Sequence, residues 1–306
     1  FYYLTTYTNG LPAQESIPGD TVSTIHLQVF QSAPLGSADL AWNHLAVSPT
    51  AADSFTVWLE YPVGALQQLA TVASDRFSYQ HEISICEDSL TFHIRRGETG
   101  CISVSNWAGD VFSDVTPPSI PVVVAVTVDS SAAGSGLATV HWNPSPQPDT
   151  DGYIIVFNAP GGAAIIDTVW GWGSNSYEWA DATPGLHPEA YSVAAFDTCR
   201  TGNPPSPNTS ATQPFHTTIF VDYDYDACSG RVDLAWTPYG GWSVEHYNVY
   251  MQVDGGAWST AEVIGASATA TRIQVDPFHT YCFVVEAAQG IGLANSMSNR
   301  ICLLTD

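Results

Sequence analysis

Apolar and polar residues alternate along this chain in short runs at a period of two. The pattern recurs in "ADLAWNHL", "DSFTVWLE", "LTFHIRR", "ATVHWNPS", "DGYIIVFN", "AYSVAAFD", "VDLAWTPY", "EHYNVYMQ" and "CFVVEAAQ". Period two places one set of side chains on each face of a β-strand. Turn residues separate the runs: "NPSPQPDTDG", "NAPGGA", "VDGGA" and "AAQGIG". No segment sustains the 3.6-residue apolar period of a helix. Short strands at even spacing between such turns predict an all-β chain of sandwich type.

The runs fall into three sets of three. Each set has a tryptophan (Trp42, Trp142, Trp236), an aromatic on the next run (Phe55, Tyr153, Tyr247) and another on a late run (Phe92, Tyr191, Phe283). The tryptophans stand 100 and 94 residues apart. A unit of roughly 100 residues is the size of one two-sheet sandwich. Three tandem sandwiches are therefore expected over 1–115, 116–213 and 214–306, with the three tryptophans as core residues. Proline-rich stretches, Ser113 to Val123 and Thr201 to Thr218, mark the boundaries as extended edges or stiff linkers, because proline cannot donate to a ladder. Residues 1–20 belong to the first sandwich, or are the tail of an upstream module, or are a strand donated to a neighbour. They lack the basic start and apolar centre of a signal peptide.

Charge narrows the partners. The chain has 306 residues, a net charge of −23, and 30 acidic residues against 7 basic ones, all arginine. Nucleic-acid phosphates would be repelled. No apolar run is long enough for a membrane-spanning helix, so no membrane insertion is expected.

The six cysteines, Cys86, Cys101, Cys199, Cys228, Cys282 and Cys302, have no zinc-ligand spacing. An even count suggests three disulfides, for which 15 pairings exist. Cys282 and Cys302 fit cross-strand positions in one late hairpin. Cys101 has Cys86 nearby in its own unit. Cys199 then points to Cys228, a staple between the second and third units. In the matching stretch of the first unit, Pro34 stands where Cys228 would be.

Candidate chemistry is sparse. No Gly-x-Ser-x-Gly or His-Glu-x-x-His motif occurs, and no catalytic residue or cofactor is expected. Asp149 and Asp151 in "DTDG", or the row Asp222, Asp224 and Asp226, could offer oxygens to calcium. The turn reading is favoured for the first, and carboxylates roughly 7 Å apart along a strand suit one ion poorly. No metal site is assigned. Trp170, Trp172 and Trp179 cluster within "DTVWGWGSNSYEWAD", and Tyr239 and Trp242 lie on the turn "PYGGWSVEHY". These five are candidate contacts for a glycan or a neighbouring subunit; alternatively, Trp170 and Trp172 cover a sheet edge or an interdomain seam.

The motifs "SVSNWAGDVFSDVTPPSIPVV", "VHWNPSPQPDTDGYIIVF", "SVAAFDTC", "LAWTPYGGWSVEHYNVY" and "YCFVVEAAQGIGLANSMSNRIC" resemble the fibronectin type III-like modules of large secreted Bacteroidetes proteins, often called gliding motility-associated. The resemblance runs from about Thr24 to Cys302. It implies three tandem immunoglobulin-like or fibronectin type III-like β-sandwiches. It also implies export by the type IX system to the cell surface or medium. The implied role is non-catalytic scaffolding or adhesion in a surface protein or fibre, with other subunits or glycans as partners. The alternatives are a carbohydrate-binding module using the second unit's tryptophans, and accessory domains of a larger secreted enzyme. Thr21, Ser89 and Thr168 sit in short Asp-Thr/Ser-aliphatic sequences that resemble an O-glycosylation signal of that group.

Overall fold

The computed structural model describes residues 23–32, 36–43, 54–98, 101–132 and 135–306. Among these residues there are strands and turns, and no helix. One pattern of eight strands recurs three times. The first set is β1 (Leu27–Gln31), β2 (Ser37–Trp42), β3 (Ser54–Glu60), β4 (Leu66–Ala73), β5 (Ser78–Glu82), β6 (Asp88–Glu98), β7 (Cys101–Val104) and β8 (Ala108–Phe112). The second is β9 (Val122–Ala132), β10 (Ser135–Asn143), β11 (Gly152–Ala159), β12 (Gly162–Trp170), β13 (Ser176–Ala182), β14 (Ala190–Thr201), β15 (Ser206–Thr209) and β16 (His216–Thr217). The third is β17 (Val221–Asp226), β18 (Arg231–Trp236), β19 (His246–Val253), β20 (Ser259–Gly265), β21 (Ala270–Gln274), β22 (Thr280–Ala288), β23 (Asn295–Met297) and β24 (Ile301–Leu304).

Within each set, strands one, two and five form a small sheet in the order 1-2-5. Strands three, four, six and seven form a larger one in the order 4-3-6-7, and the eighth strand also pairs with the sixth. This is the strand order of a fibronectin type III-like sandwich, repeated three times. The second sandwich closes with β16, so the proline-rich stretch after Thr201 supplies its last edge strands β15 and β16 rather than a bare linker.

The sandwiches form because period-two strands bury one face. Each has its own cluster of buried apolar side chains, with Trp42, Trp142 or Trp236 in it. Each tryptophan lies opposite the start of the first strand: Leu27↔Trp42, Val123↔Trp142 and Val221↔Trp236. Across the core it meets the aromatic of the third strand. The ring centroids are 5.4 Å apart for Trp42–Phe55, 5.3 Å for Trp142–Tyr153 and 5.5 Å for Trp236–Tyr247. These are edge or tilted contacts of the kind aromatic quadrupoles favour. All three indole N–H groups are buried with no hydrogen-bond partner on the protein. Each sandwich therefore tolerates an unmade bond in return for the apolar area the ring covers.

A second recurring device splits the last strand. A serine at the kink accepts the backbone N–H of the sixth strand through its hydroxyl: Ile94 N to Ser105 Oγ, Ala195 N to Ser210 Oγ and Val285 N to Ser298 Oγ, each 2.9 Å. In the first and third sandwiches the next residue is asparagine, which clasps the first strand of the other sheet. Asn106 bonds both N–H and C=O of Leu27, and Asn299 both groups of Val221. In the second sandwich Ala211 stands there and has no side chain to make that clasp.

Two compact units result. The first runs to Thr116 and takes in Thr198–Pro207; the second comprises Pro117–Asp197 and Asn208–Asp306. The cysteines follow this division, and the expected pairing is corrected on two counts. Cys86 is bonded to Cys199, with Cα atoms 4.6 Å apart, so the Cys86–Cys101 and Cys199–Cys228 bridges are not formed. Cys228 is a free, exposed thiol in the β17–β18 turn. The cause is tertiary: the end of β14 groups with the first unit, which brings Cys199 to a sulfur 113 residues back along the chain. Counting outward from Cys199 along the sequence could not reveal that neighbour. The Cys101 side chain and Pro34 lie outside the described residues. Cys282 and Cys302 are bonded from directly paired positions of β22 and β24. The register then slips by one, so Ala288 faces Asn295 rather than Ser296, and the slip is where Ser298 and Asn299 make their bonds.

Truncating Trp236 to alanine removes the largest ring of the third core. It should cost about 3–5 kcal/mol in chemical denaturation. Non-reducing peptide mapping should recover one crosslink joining the Cys86 and Cys199 peptides. Cys228 should react with an alkylating reagent in the native state.

Candidate functional site

The strand β9 ends its sheet, whose order is β13-β10-β9. An edge strand presents unpaired N–H and C=O groups that must be covered or left to water. The third sandwich covers this one with side chains. Tyr239 and Trp242 reach it from the turn after β18. The Trp242 indole N–H donates to Val124 O at 3.0 Å, and the Val126 N–H donates to the Tyr239 hydroxyl at 3.1 Å. Ser296 Oγ donates to Val126 O at 2.6 Å, and Met297 N to the Thr127 hydroxyl at 3.0 Å. Tyr239 in turn meets His216 Nδ1 at 2.8 Å. The Tyr239 hydroxyl thus bridges the Val126 N–H and the His216 ring. The turn can approach this closely because Gly241, at φ +138°, has no Cβ; one placed there would meet the His216 ring at 2.5 Å.

Burial raises the Tyr239 hydroxyl pKa well above its ordinary value and lowers that of His216 below 6.5. Tyr239 is buried, and its ring lies 4.3 Å from that of Trp242. Both are spent inside the molecule. The sequence places them among candidate ligand contacts; the structure makes them the seam between the second and third sandwiches.

The other predicted aromatics divide. Trp179 packs on Phe157 and Tyr191 at 4.8 and 5.7 Å and belongs to the second core, so it is no surface platform. Trp172 is 49% exposed, yet its indole N–H donates to Ser145 O at 2.8 Å. Its carbonyl accepts the Tyr153 hydroxyl at 2.7 Å. It closes the end of the core. Trp170 is 64% exposed and stands edge-on to Phe196 at 5.1 Å. Trp170 and Trp172 thus present partial faces, and Trp179 does not join them.

Asp149 and Asp151 are half-buried beside the start of β11. The backbone of Asp151 is bonded at both ends, its N–H to Phe196 O and its C=O to the Gly171 N–H. The pair is built into a turn. In the aspartate row, Asp226 caps the β17–β18 turn: its carboxylate accepts from the Ser229 hydroxyl and from the Cys228 and Ser229 N–H groups. The Ser229 bond is the first cause that holds its pKa below the usual carboxylate range. Tyr223, which alternation puts on the covered face, is exposed. Of the glycosylation candidates, Ser89 is exposed at the start of β6, Thr168 is half-buried on β12, and Thr21 lies outside the described residues.

Sequence reasoning passed over a groove beside the seam. It has a volume of about 480 Å³ and is lined by Val128 and Asp129 of β9, Tyr250, Trp258, Val284, Met297, Ser298 and Arg300. The Arg300 guanidinium lies 5.5 Å from the Trp258 ring centre and donates to Gln252 Oε1 at 2.9 Å. It also sits 3.2 Å from Cys282 Sγ. The Tyr250 hydroxyl donates to Glu286 Oε2 at 2.8 Å. Its pKa is pushed up to about 12, first by burial and then by that carboxylate. The only sequence signal was the run "SNRIC" after a late strand, where an arginine follows the Ser-Asn kink.

Comparisons add little beyond the fold. No family model and no curated protein matches the chain. Among solved structures, the crystal structure of the chicken CNTN1 FN1-FN3 domains is similar over 93% of this chain and 98% of that one, at 14% identity and a TM-score of 0.34. The fold assignment rests on the strand orders themselves.

Tyr239→Phe removes the hydroxyl that serves both Val126 and His216. It should destabilise the second unit by about 1–3 kcal/mol, since two buried groups lose a partner. His216 has a pKa lowered in the folded state, so its neutral form is fully compatible with folding above about pH 6.5, and stability falls as the pH drops below that value. The melting temperature should therefore decline between about pH 7 and pH 5, and decline less in His216→Gln.

Proposed function

We propose that this chain is a non-catalytic structural segment of a protein that works outside the reducing cytosol, bearing tension between the parts it joins. The observation that carries this reading is the Cys86–Cys199 bond, which closes a loop of 113 residues. Stable disulfides belong to oxidising compartments. A pull along the chain enters this loop at Cys86 and leaves at Cys199 through two sulfur atoms. Strands β6 to β13 then carry no load. The Cys282–Cys302 bond, spanning 20 residues, shields the end of the third sandwich in the same way.

The internal seam supports the reading. The second and third sandwiches are joined by directional bonds to one edge strand, which resist bending more than a flexible linker would. The resemblance of the motifs to secreted Bacteroidetes surface modules is the ground for placing the segment at the cell surface, with other surface or fibre subunits as partners and adhesion as the task. Among the described residues no helix is long and apolar enough to cross a membrane.

Single-molecule stretching of the chain tests the reading. The oxidised protein should extend less than the reduced one by roughly 400 Å for the larger loop and roughly 70 Å for the smaller. Equal extension in both states would remove the covalent load path. A chain isolated from its native source with Cys86 and Cys199 reduced would remove the compartment assignment.

A further inference from the structure

The seam explains why the second and third sandwiches hold together, but it does not use the groove beside it. We propose that this groove binds a neutral pyranose, presented as the end of a glycan, which goes beyond the structural role above. At about 480 Å³ the groove falls within the range of roughly 300–1,000 Å³ usual for small-ligand sites and has room for one or two sugar rings. Its chemistry is mixed in the way a sugar requires. Val128, Val284 and Met297 give apolar lining, and Trp258, 41% exposed, gives a flat aromatic wall against which the C–H face of a pyranose can pack. Asp129, Tyr250 and Arg300 add an acceptor, a hydroxyl and a planar donor to the same lining.

Charge selects among ligands. The lining sets one carboxylate, Asp129, against one guanidinium, Arg300, with Glu286 behind Tyr250 and −23 on the chain overall, so an anionic sugar or phosphate gains no net attraction. A cation is disfavoured for a different reason: the Arg300 guanidinium in the same lining, 5.5 Å from the Trp258 ring centre, would repel it. A neutral polyhydroxylated ring is what remains.

The groups are also held in advance of any ligand. Arg300 is fixed by Gln252, and Cys282 Sγ lies beside it, while Cys302 follows two residues later in the disulfide. Glu286 fixes the Tyr250 hydroxyl and also bonds Asn248 and Asn295. A site whose side chains are already ordered loses less entropy on binding.

The test is titration of the whole chain with the methyl glycosides of glucose, galactose and mannose, followed by saturation-transfer NMR and tryptophan fluorescence. Saturable binding to at least one, with a Kd on the order of 1 mM, is expected. Trp258→Ala should weaken it about tenfold or more, as loss of a central aromatic anchor does. Trp170→Ala, far along the sequence on β12, should leave it unchanged. If Trp258→Ala does not fold, the wild-type protein still decides. The Trp258 indole N–H signal, identified by its disappearance in Trp258→Phe, should shift on adding the sugar. No saturable response to any of the three, a response that survives Trp258→Ala, or an indole signal that does not move would overturn the proposal. So would stronger binding of sialic acid or of trimethyl-lysine than of the neutral sugars.

Discussion

One contact organises each sandwich: a tryptophan of the second strand set edge-on or tilted against an aromatic of the third, between two sheets. Everything else in each sandwich is arranged around that pair. The ring is buried in the core, opposite the first residue of the opening strand in the first and third sandwiches and the second residue, Val123, in the second. Its indole N–H is left without a partner in each. A recurring unmade bond shows that apolar filling outweighs polar satisfaction at this position. The cost of one buried donor, about 1–3 kcal/mol, is smaller than the loss of a large buried ring.

The second constraint is the edge of a sheet. A sandwich built from three and five strands leaves open edges, and the second sandwich leaves β9. The third sandwich meets that edge with Trp242, Tyr239 and Ser296, which satisfy backbone groups of β9, and with the backbone of Met297, which bonds the Thr127 hydroxyl. This is why the second and third sandwiches form one compact unit. The third sandwich meets this edge with the turn after β18 and with the short strand β23, through side-chain bonds rather than a β-ladder. The same docking creates the groove, because β9 runs on past the seam and its Val128 and Asp129 become one wall.

The disulfides act on a larger scale. Cys86–Cys199 removes a long stretch of chain from any path of tension and restricts the unfolded chain over a loop of 113 residues. In the chain-entropy view a loop of that length is worth about 4–5 kcal/mol. The Cys282–Cys302 bond is local, and its effect is positional: it holds Arg300 next to Trp258 and so links the last strand to the groove wall.

The amino-acid sequence by itself determined the strands, the number of sandwiches and the three core tryptophans. Those depend on alternation and on intervals within one strand or between neighbouring strands. The Cys282–Cys302 pairing was legible for the same reason, since a hairpin register is a local matter. Only the tertiary structure decided the rest. The partner of Cys199 lay 113 residues away, and Tyr239 found its bonds on a strand more than a hundred residues earlier. Tyr239 and Trp242 look from their turn like exposed contacts, yet both bond β9, and Tyr239 is buried and Trp242 half-buried. The groove has no motif, because its walls come from two sandwiches and its key cation sits at a one-residue slip between β23 and β24. Alternation along a strand reports which face is covered. It carries no record of which distant edge does the covering.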